Sequence, residues 1–174
     1  MKKRLFALAC ALLCVLAPMA RAEEHSVAYP ATRVILVNGE EVELQAYALE
    51  DERGYRTNYV KIRDMAVVLE NTTARFEVGW DNGVNIETGK AYRSRNGQEG
   101  QAPYSGEMPY TYAVTPTKVD GAEVEVDAFV LTDSDGNGST YYKLRDLGRA
   151  LDFHVFWSQE EGVWIDTSIS YQEE

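Results

Sequence analysis

Hydrophobic and polar residues alternate in two stretches of this chain, and the second stretch repeats the first. In residues 41–46, Val42, Leu44 and Ala46 alternate with Glu and Gln, and residues 123–128 follow the same order with Val, Val and Ala. Alternation with a period of two predicts a β-strand with one buried side and one solvent-facing side. An Asn-Gly pair precedes the first stretch and an Asp-Gly pair the second, and both dipeptides favour tight hairpin turns.

The hydrophobic period becomes helical farther along each half. Ile62, Met65 and Leu69 lie at helical spacing, and residues 144–151 repeat this pattern. Such spacing predicts a helix with one apolar side. With the strands on either side, each half becomes a β-β-β-α-β-β unit, in which one α-helix packs on a small five-stranded antiparallel sheet. The predicted fold class is therefore α+β, with two such repeats and one core in each.

The two halves are copies of one unit. Residues 37–39 recur as residues 119–121, and residues 61–64 recur as residues 143–146, a shift of 82 positions in both cases. A repeat at fixed spacing indicates a duplicated structural unit. The predicted segments are a signal peptide at residues 1–22, repeat 1 at residues 32–88, a linker containing Gly, Pro and Tyr at residues 89–114, and repeat 2 at residues 115–167.

The N-terminus is typical of an export signal. Three basic residues at positions 2–4 precede an apolar run at positions 5–16, and Ala20 and Ala22 supply the small residues of a cleavage site. The run is shorter than the roughly 20 residues that cross a bilayer. We therefore expect a secreted protein, extracellular or associated with the cell envelope, with no membrane span in its mature form. Both cysteines lie inside the signal, so no disulfide stabilises the mature fold.

The chain is strongly acidic once the predicted signal is removed. The signal holds four of the 17 basic residues and none of the 28 acidic ones, so 13 basic residues remain and the net charge is −15. A surface with this charge repels phosphate groups, which argues against nucleic acid as a partner.

Three motifs of the repeats match a known extracellular module. They are Tyr-Val-Lys-Ile-Arg-Asp at residues 59–64, Tyr-Lys-Leu-Arg-Asp at residues 142–146 and Phe-Glu-Val-Gly-Trp-Asp at residues 76–81. Together they resemble the copper amine oxidase N-terminal-like domain, or stalk domain, of secreted Gram-positive bacterial proteins, here in two tandem copies. The resemblance implies a five-stranded antiparallel sheet wrapped around one helix. It implies no oxidase activity, because His25 and His154 are the only histidines and the enzymes of that name need three for copper.

The tryptophans are candidates for stacking on sugars of a cell-wall polymer. Trp80 and Trp157 occupy matching positions on the core side of a predicted strand, so we expect both to be core residues. Trp164 differs, because its counterpart in repeat 1 is the polar residue Asn85, which indicates an outward side chain. The predicted ligand-binding aromatic residues are Trp164, Tyr104 and Tyr110.

Residues 133–138 match the first half of a calcium-binding loop. Asp133, Asp135 and Asn137 stand at the oxygen-ligand positions one, three and five, and a glycine follows at position six. Position twelve is Leu144, where calcium loops require a bidentate glutamate. The sequence therefore predicts weak calcium binding at most, and a polar hairpin turn is the alternative.

Two further polar positions are interpreted as structural. His154 has Glu77 as its counterpart in repeat 1, and a position that accepts glutamate predicts a side chain in water. The Arg-Asp pairs at residues 63–64 and 145–146 recur in both repeats. We expect them to stabilise the corner between strand and helix through charge-assisted hydrogen bonds. A duplicated polar binding site is the alternative.

Signatures of catalysis are absent from the sequence, which has no His-Glu-x-x-His, Gly-x-Ser-x-Gly or Walker motif. We therefore predict a non-catalytic, envelope-associated binding or spacer protein without a cofactor, whose partner is a cell-wall polymer or another envelope protein. A carbohydrate-binding module is the first alternative. A hydrolase with acidic residues between the two repeats is the second.

Overall fold

The computed structural model of the protein describes residues 26–94, 99, 106–158, 160 and 162–173. The predicted signal peptide and Tyr104 lie outside these residues. The strands are β1 (Val27–Pro30), β2 (Arg33–Val37), β3 (Glu40–Leu44), β4 (Ala46–Glu50), β5 (Arg56–Lys61), β6 (Phe76–Trp80), β7 (Val84–Thr88), β8 (Met108–Tyr112), β9 (Thr117–Val119), β10 (Ala122–Val124), β11 (Ala128–Thr132), β12 (Gly138–Lys143), β13 (His154–Ser158) and β14 (Gly162–Asp166), and the helices are α1 (Ile62–Val68) and α2 (Leu144–Leu151).

Each half of the chain contributes the same series of elements. Five strands, a helix and two strands make up the first half, from β1 to β7, and the second half repeats this order from β8 to β14. β1 and β4 in the first half, and β8 and β11 in the second, are additional to the three strands predicted before each helix. β8 falls within the segment interpreted as a linker, where no hydrophobic period indicated a strand.

The predicted fold class is wrong, because the strands of the two halves combine into shared sheets. β1, β4, β5, β12, β11 and β8 form a closed barrel in that order, with three strands from each half. The other strands form two four-stranded sheets, and in each of them a parallel contact joins the halves: β14 with β2, and β7 with β9. Neither repeat therefore packs its own five-stranded sheet on one helix. Such pairings between distant segments leave no periodic signal in the sequence.

An approximate two-fold axis relates the halves at the contact between β5 and β12. Val60 lies opposite Tyr142, and these are equivalent residues, 82 positions apart. On either side, Lys61 pairs with Tyr141 and Tyr59 pairs with Lys143. Each pair on one side of Val60 and Tyr142 has its equivalent pair on the other side. Two copies in contact across a two-fold axis show this reciprocal pattern.

One apolar core unites the two halves, in place of the two separate cores that we expected. Leu69 and Phe76 of the first half belong to the same buried cluster as Leu147 and Phe153 of the second. A second, smaller cluster fills the barrel with aromatic side chains, among them Phe129, whose ring stacks on that of Tyr141 with centroids 5.4 Å apart.

The predicted hairpin turns are confirmed. Asn38 and Asp120 adopt positive φ angles of 51° and 50°, and the glycines that follow them also have positive φ. Two successive residues with positive φ form the type of turn that matches the twist of adjacent antiparallel strands. These turns join β2 to β3 and β9 to β10.

The aspartates of the recurring motifs contact groups at the corners between strand and helix, but the contacts differ from the predicted Arg-Asp hydrogen bonds. Asp64 is buried and its Oδ1 lies 3.7 Å from Nζ of the buried Lys61. Asp146 Oδ2 accepts the backbone N–H of Asp127 at 2.8 Å. The cation in the first corner is therefore the lysine, whereas the Arg63 guanidinium donates to the Tyr92 hydroxyl at 3.3 Å.

The chain leaving each half folds back over its last hairpin and is held there by equivalent residues. Glu77 Oε2 accepts the backbone N–H of Arg93 at 2.9 Å, and His154 Nδ1 accepts that of Gln172 at 3.1 Å. The prediction of a water-facing His154 is wrong, since the residue is 2% exposed. Glutamate and histidine are both accepted here because each supplies an acceptor for a backbone N–H of the returning chain.

Candidate ligand-binding site

Two tryptophans at equivalent positions are exposed to solvent. Trp80 pairs with Val84 across β6 and β7, and Trp157 pairs with Val163 across β13 and β14. Their exposed fractions are 62% and 61%. The prediction that both belong to the core is therefore wrong. Period-two alternation identified the correct side of the strand, but it does not report where the core ends along that strand.

The position of Trp80 at a strand end explains its exposure. β6 ends at Trp80, and a turn at residues 81–83 follows immediately. A tryptophan next to an Asp-Asn-Gly turn is thus the sequence signal that could have identified this site. One exposed aromatic residue is normal for a protein surface. The same exposure at both equivalent positions makes it a property of the repeated unit.

A small cavity of about 90 Å³ lies on one side of Trp80. Its lining combines cations and hydroxyl groups: Lys61 and Arg63 come from the start of α1, and Ser139 and Thr140 come from β12 of the other half. Lys61 and Arg63 already contact Asp64 and Tyr92, and the hydroxyl groups can both donate and accept hydrogen bonds.

An open groove of about 390 Å³ also borders Trp80 and has acidic and amide groups. Asp81, Asn85, Glu87 and Asp120 contribute to its lining. The pKa of Asp120 lies below its ordinary value, because the side chain and backbone of Thr88 both donate hydrogen bonds to its carboxylate. Asp120 is therefore an ionised acceptor at neutral pH.

The amide of Asn85 is held in one orientation within this groove. Its Nδ2 donates to the carbonyl oxygens of Asp81 and Gly83, at 3.3 Å each. Trp80 thus borders both a cavity with cationic and hydroxyl groups and a groove with carboxylate and amide groups. An aromatic surface bordered by oriented polar groups is the general form of a site for an amphipathic small ligand.

The second half keeps the tryptophan but changes the residues around it. Around Trp157, Phe156, Trp164 and Asn38 stand at the positions that Gly79, Asn85 and Asp120 occupy around Trp80. Asn38 keeps the turn contact of its counterpart, since its Oδ1 accepts the backbone N–H of Thr167 at 2.9 Å. The surroundings of Trp157 are therefore more aromatic and less acidic than those of Trp80.

The aromatic residues predicted to bind a ligand do not form one site. Trp164 on β14 is partly buried and lies against Phe156, with ring centroids 4.4 Å apart. Tyr110 on β8 belongs to the barrel, where its ring contacts those of Phe129 and Tyr112 at centroid distances of 5.2 and 5.3 Å. Tyr104 is outside the described residues. The two that are described lie in different sheets.

The loop of the predicted calcium site forms a turn in which Asp133 binds backbone groups. Its Oδ1 accepts the N–H groups of Asp135 and Asn137 at 2.9 and 2.7 Å, and its Oδ2 accepts the Asn137 side chain at 3.0 Å. In the first half the equivalent Asp51 accepts the N–H groups of Arg53 and Tyr55, both at 2.9 Å. Because the loop keeps its form where arginine and tyrosine replace the candidate ligands, these contacts favour the hairpin-turn alternative.

An acidic concavity of about 440 Å³ includes Glu125, Asp127, Asp146 and Arg149. Asp127 Oδ2 accepts the hydroxyl of Tyr59 at 2.9 Å, and Asp146 accepts the Asp127 backbone N–H. Burial, together with the contact to Asp127, raises the pKa of the Tyr59 hydroxyl, which therefore stays a donor. Both aspartates thus serve structural hydrogen bonds, and nothing in their contacts favours the hydrolase alternative.

Within the described part of the chain, no group of three or more His, Cys, Asp or Glu residues is arranged to hold a metal ion. Neither described helix has the length and apolar character needed to cross a membrane. The resemblance to the stalk domain stays a prediction. No family model, no curated protein and no solved structure matches this chain.

Proposed function

We propose that this chain is a secreted, non-catalytic binding protein of the cell envelope, and that its ligand is a glycan. The observation that carries the proposal is the equal exposure of Trp80 and Trp157, each with about three fifths of its surface in solvent. Exposed indole rings at both equivalent positions are available to a ligand.

The chemistry around Trp80 suits a sugar ring. A pyranose presents an apolar C–H face, which packs on an indole, and hydroxyl groups around its edge, which need donors and acceptors together. Arg63 lines the cavity next to Trp80, and Asn85 and Asp120 line the groove next to it. A nucleic acid would need a basic surface, whereas the full chain has a net charge of −11.

Retention on purified peptidoglycan and on insoluble neutral polysaccharides tests the proposal. Trp80→Ala and Trp157→Ala should each weaken retention, and the double variant should abolish it, because each removes one stacking surface. Tyr55→Ala is the matched control, since Tyr55 is an aromatic residue that is 71% exposed in the turn between β4 and β5. Its retention should equal that of the unmodified protein.

The outcome separates a binding protein from a passive spacer. If the double variant is retained as well as the unmodified protein, the tryptophans do not bind the glycan and the proposal is wrong. If the unmodified protein is retained on none of the polymers, the spacer interpretation replaces it. Circular dichroism of each variant checks that the fold is kept, which we expect because the rings are largely outside the core.

A further inference from the structure

The outer side of the sheet β13-β14-β2-β3 carries a row of apolar side chains. Phe156 pairs with Trp164, and Trp164 lies beside Leu36, so the three residues stand in register across three neighbouring strands. Val34, two residues before Leu36 on the same side of β2, is 60% exposed. We refer to these four residues as the apolar face.

The other four-stranded sheet of the molecule shows that the fold does not require this face to be apolar. In the equivalent sheet, β6-β7-β9-β10, the same row consists of Gly79, Asn85 and Lys118, again in register. The core sides of the two sheets are alike, since the equivalent residues Val155 on β13 and Val78 on β6 are both buried. The apolar row is thus a property of one of the two sheets, and its members Phe156, Trp164 and Leu36 remain partly exposed there.

The charged residues next to the apolar face are acidic. Leu36 pairs with Glu41 and Val34 pairs with Glu43 on β3, and both glutamates are exposed. Asp166 lies on the same side of β14, next to Trp164 in the strand. Among the described residues, no lysine or arginine stands in these rows of the face.

We propose that the apolar face docks a cationic amphipathic helix of another protein. The partner's apolar side chains would cover Phe156, Trp164 and Leu36, and its lysines or arginines would lie against Glu41 and Glu43. Three neighbouring strands span about 10 Å, which is about the width of one helix with its side chains. Complementary charge at the margin of an apolar patch supplies specificity and a faster association.

The charge of the face argues against the other occupants. A second copy of this chain would bring its own Glu41 and Glu43 to the contact, and like charges at a contact are unfavourable. An anionic membrane surface is repelled for the same reason. A glycan is a poorer candidate for Trp164, because the residues around Trp164 do not supply the oriented polar groups that surround Trp80.

Binding of a synthetic 18-residue leucine–lysine amphipathic peptide, measured by calorimetry on the full protein, tests the inference. We expect one peptide per chain, at least tenfold weaker binding in Leu36→Lys and in Trp164→Asn, and a lower salt dependence in the double variant Glu41→Gln/Glu43→Gln. The first two variants introduce the residues that the other half carries at these positions. They should therefore fold, and either one alone suffices for the test.

A gain-of-function variant makes the test more stringent. Asn85→Trp combined with Lys118→Leu should create a second face in the other sheet, where Glu123 already pairs with residue 118. The stoichiometry should then rise from one peptide to two. Trp80→Ala should leave peptide binding unchanged, which keeps this inference separate from the glycan site.

Four results would overturn the inference. Equal binding of a leucine–glutamate peptide would show that the charge is irrelevant. Undiminished peptide binding in both Leu36→Lys and Trp164→Asn would place the peptide elsewhere. Dimerisation of the protein that Trp164→Asn abolishes would identify a second copy as the occupant. Loss of glycan retention in Trp164→Asn would identify a sugar.

Discussion

The hydroxyl pair of Thr117 and Tyr142 gives a quantitative test of how the core is built. The two oxygens lie 2.8 Å apart, and both side chains are buried. In the first half the equivalent residues are Ile35 and Val60, which are also buried. The same place in the core is therefore filled by an apolar pair in one copy and by a hydrogen-bonded pair in the other.

Removing both partners should cost less than the sum of the costs of removing each one alone. Tyr142→Phe leaves the Thr117 hydroxyl buried without its partner, and Thr117→Val does the same to Tyr142, so each should lower the free energy of unfolding by about 1–3 kcal/mol. The double variant leaves neither hydroxyl unsatisfied and should cost less than the sum by about 1–2 kcal/mol. For a chain of this size, each kcal/mol lowers Tm by about 2–4 °C.

Urea unfolding of the four proteins, followed by circular dichroism and by tryptophan fluorescence, measures this cycle. Coincident transitions from the two probes and equal slopes would justify a two-state treatment. Additive costs, or a double variant less stable than the sum of the single ones, would refute the reasoning. Either result would show that the hydroxyl contact contributes nothing beyond the packing of each side chain.

Three further perturbations have expected results. Burial raises the pKa of the Tyr142 hydroxyl to about 12. The contribution of this hydroxyl to the free energy of unfolding is therefore complete below the unfolded pKa of about 10 and is lost as the pH rises towards 12. Tyr142→Phe should show a smaller loss of stability over the same pH range. Unfolding measured at alkaline pH checks both. Gly148→Ala should cost about 1–3 kcal/mol in thermal unfolding, because its Cβ would lie 2.8 Å from the carbonyl oxygen of Phe153. Thr88→Val should raise the depressed pKa of Asp120, so that NMR titration finds its carboxylate protonated at a higher pH than in the unmodified protein.

Local structure could be predicted from this sequence because its signals are local. The Asn-Gly and Asp-Gly turns, the alternating strands after them and the two helices each depend on residues within one turn or one strand. The topology depends on contacts such as Trp164 with Leu36, which join residues in opposite halves of the chain. The hydrophobic period of a strand does not show which half of the chain supplies the neighbouring strand. Repeats whose strands pair between the halves therefore give the same sequence pattern as repeats whose strands pair within each half.

The candidate site shows a second limit of pattern reasoning. Alternation placed Trp80 on the core side of its strand, but the turn after it places the ring at the margin of the core. The presence of Glu77 at the position equivalent to His154 suggested exposure for both. Both side chains are buried, and each is tolerated there because it accepts a backbone N–H. Periodicity reports the side of a strand, whereas exposure also depends on what lies above that side.

The duplicated fold separates structural from functional requirements, because each half is a control for the other. A buried residue kept in both halves, such as Leu69 or Leu151, can be explained by the core that it fills. Trp80 and Trp157 are kept although solvent reaches both rings, so core packing does not explain them, and this is the reason for which we propose a ligand. Trp164 is the opposite case, since Asn85 fills its position in the other sheet without loss of the fold. Shared exposure thus indicates a function common to the two halves, and an apolar residue present in one half alone indicates a function of that half.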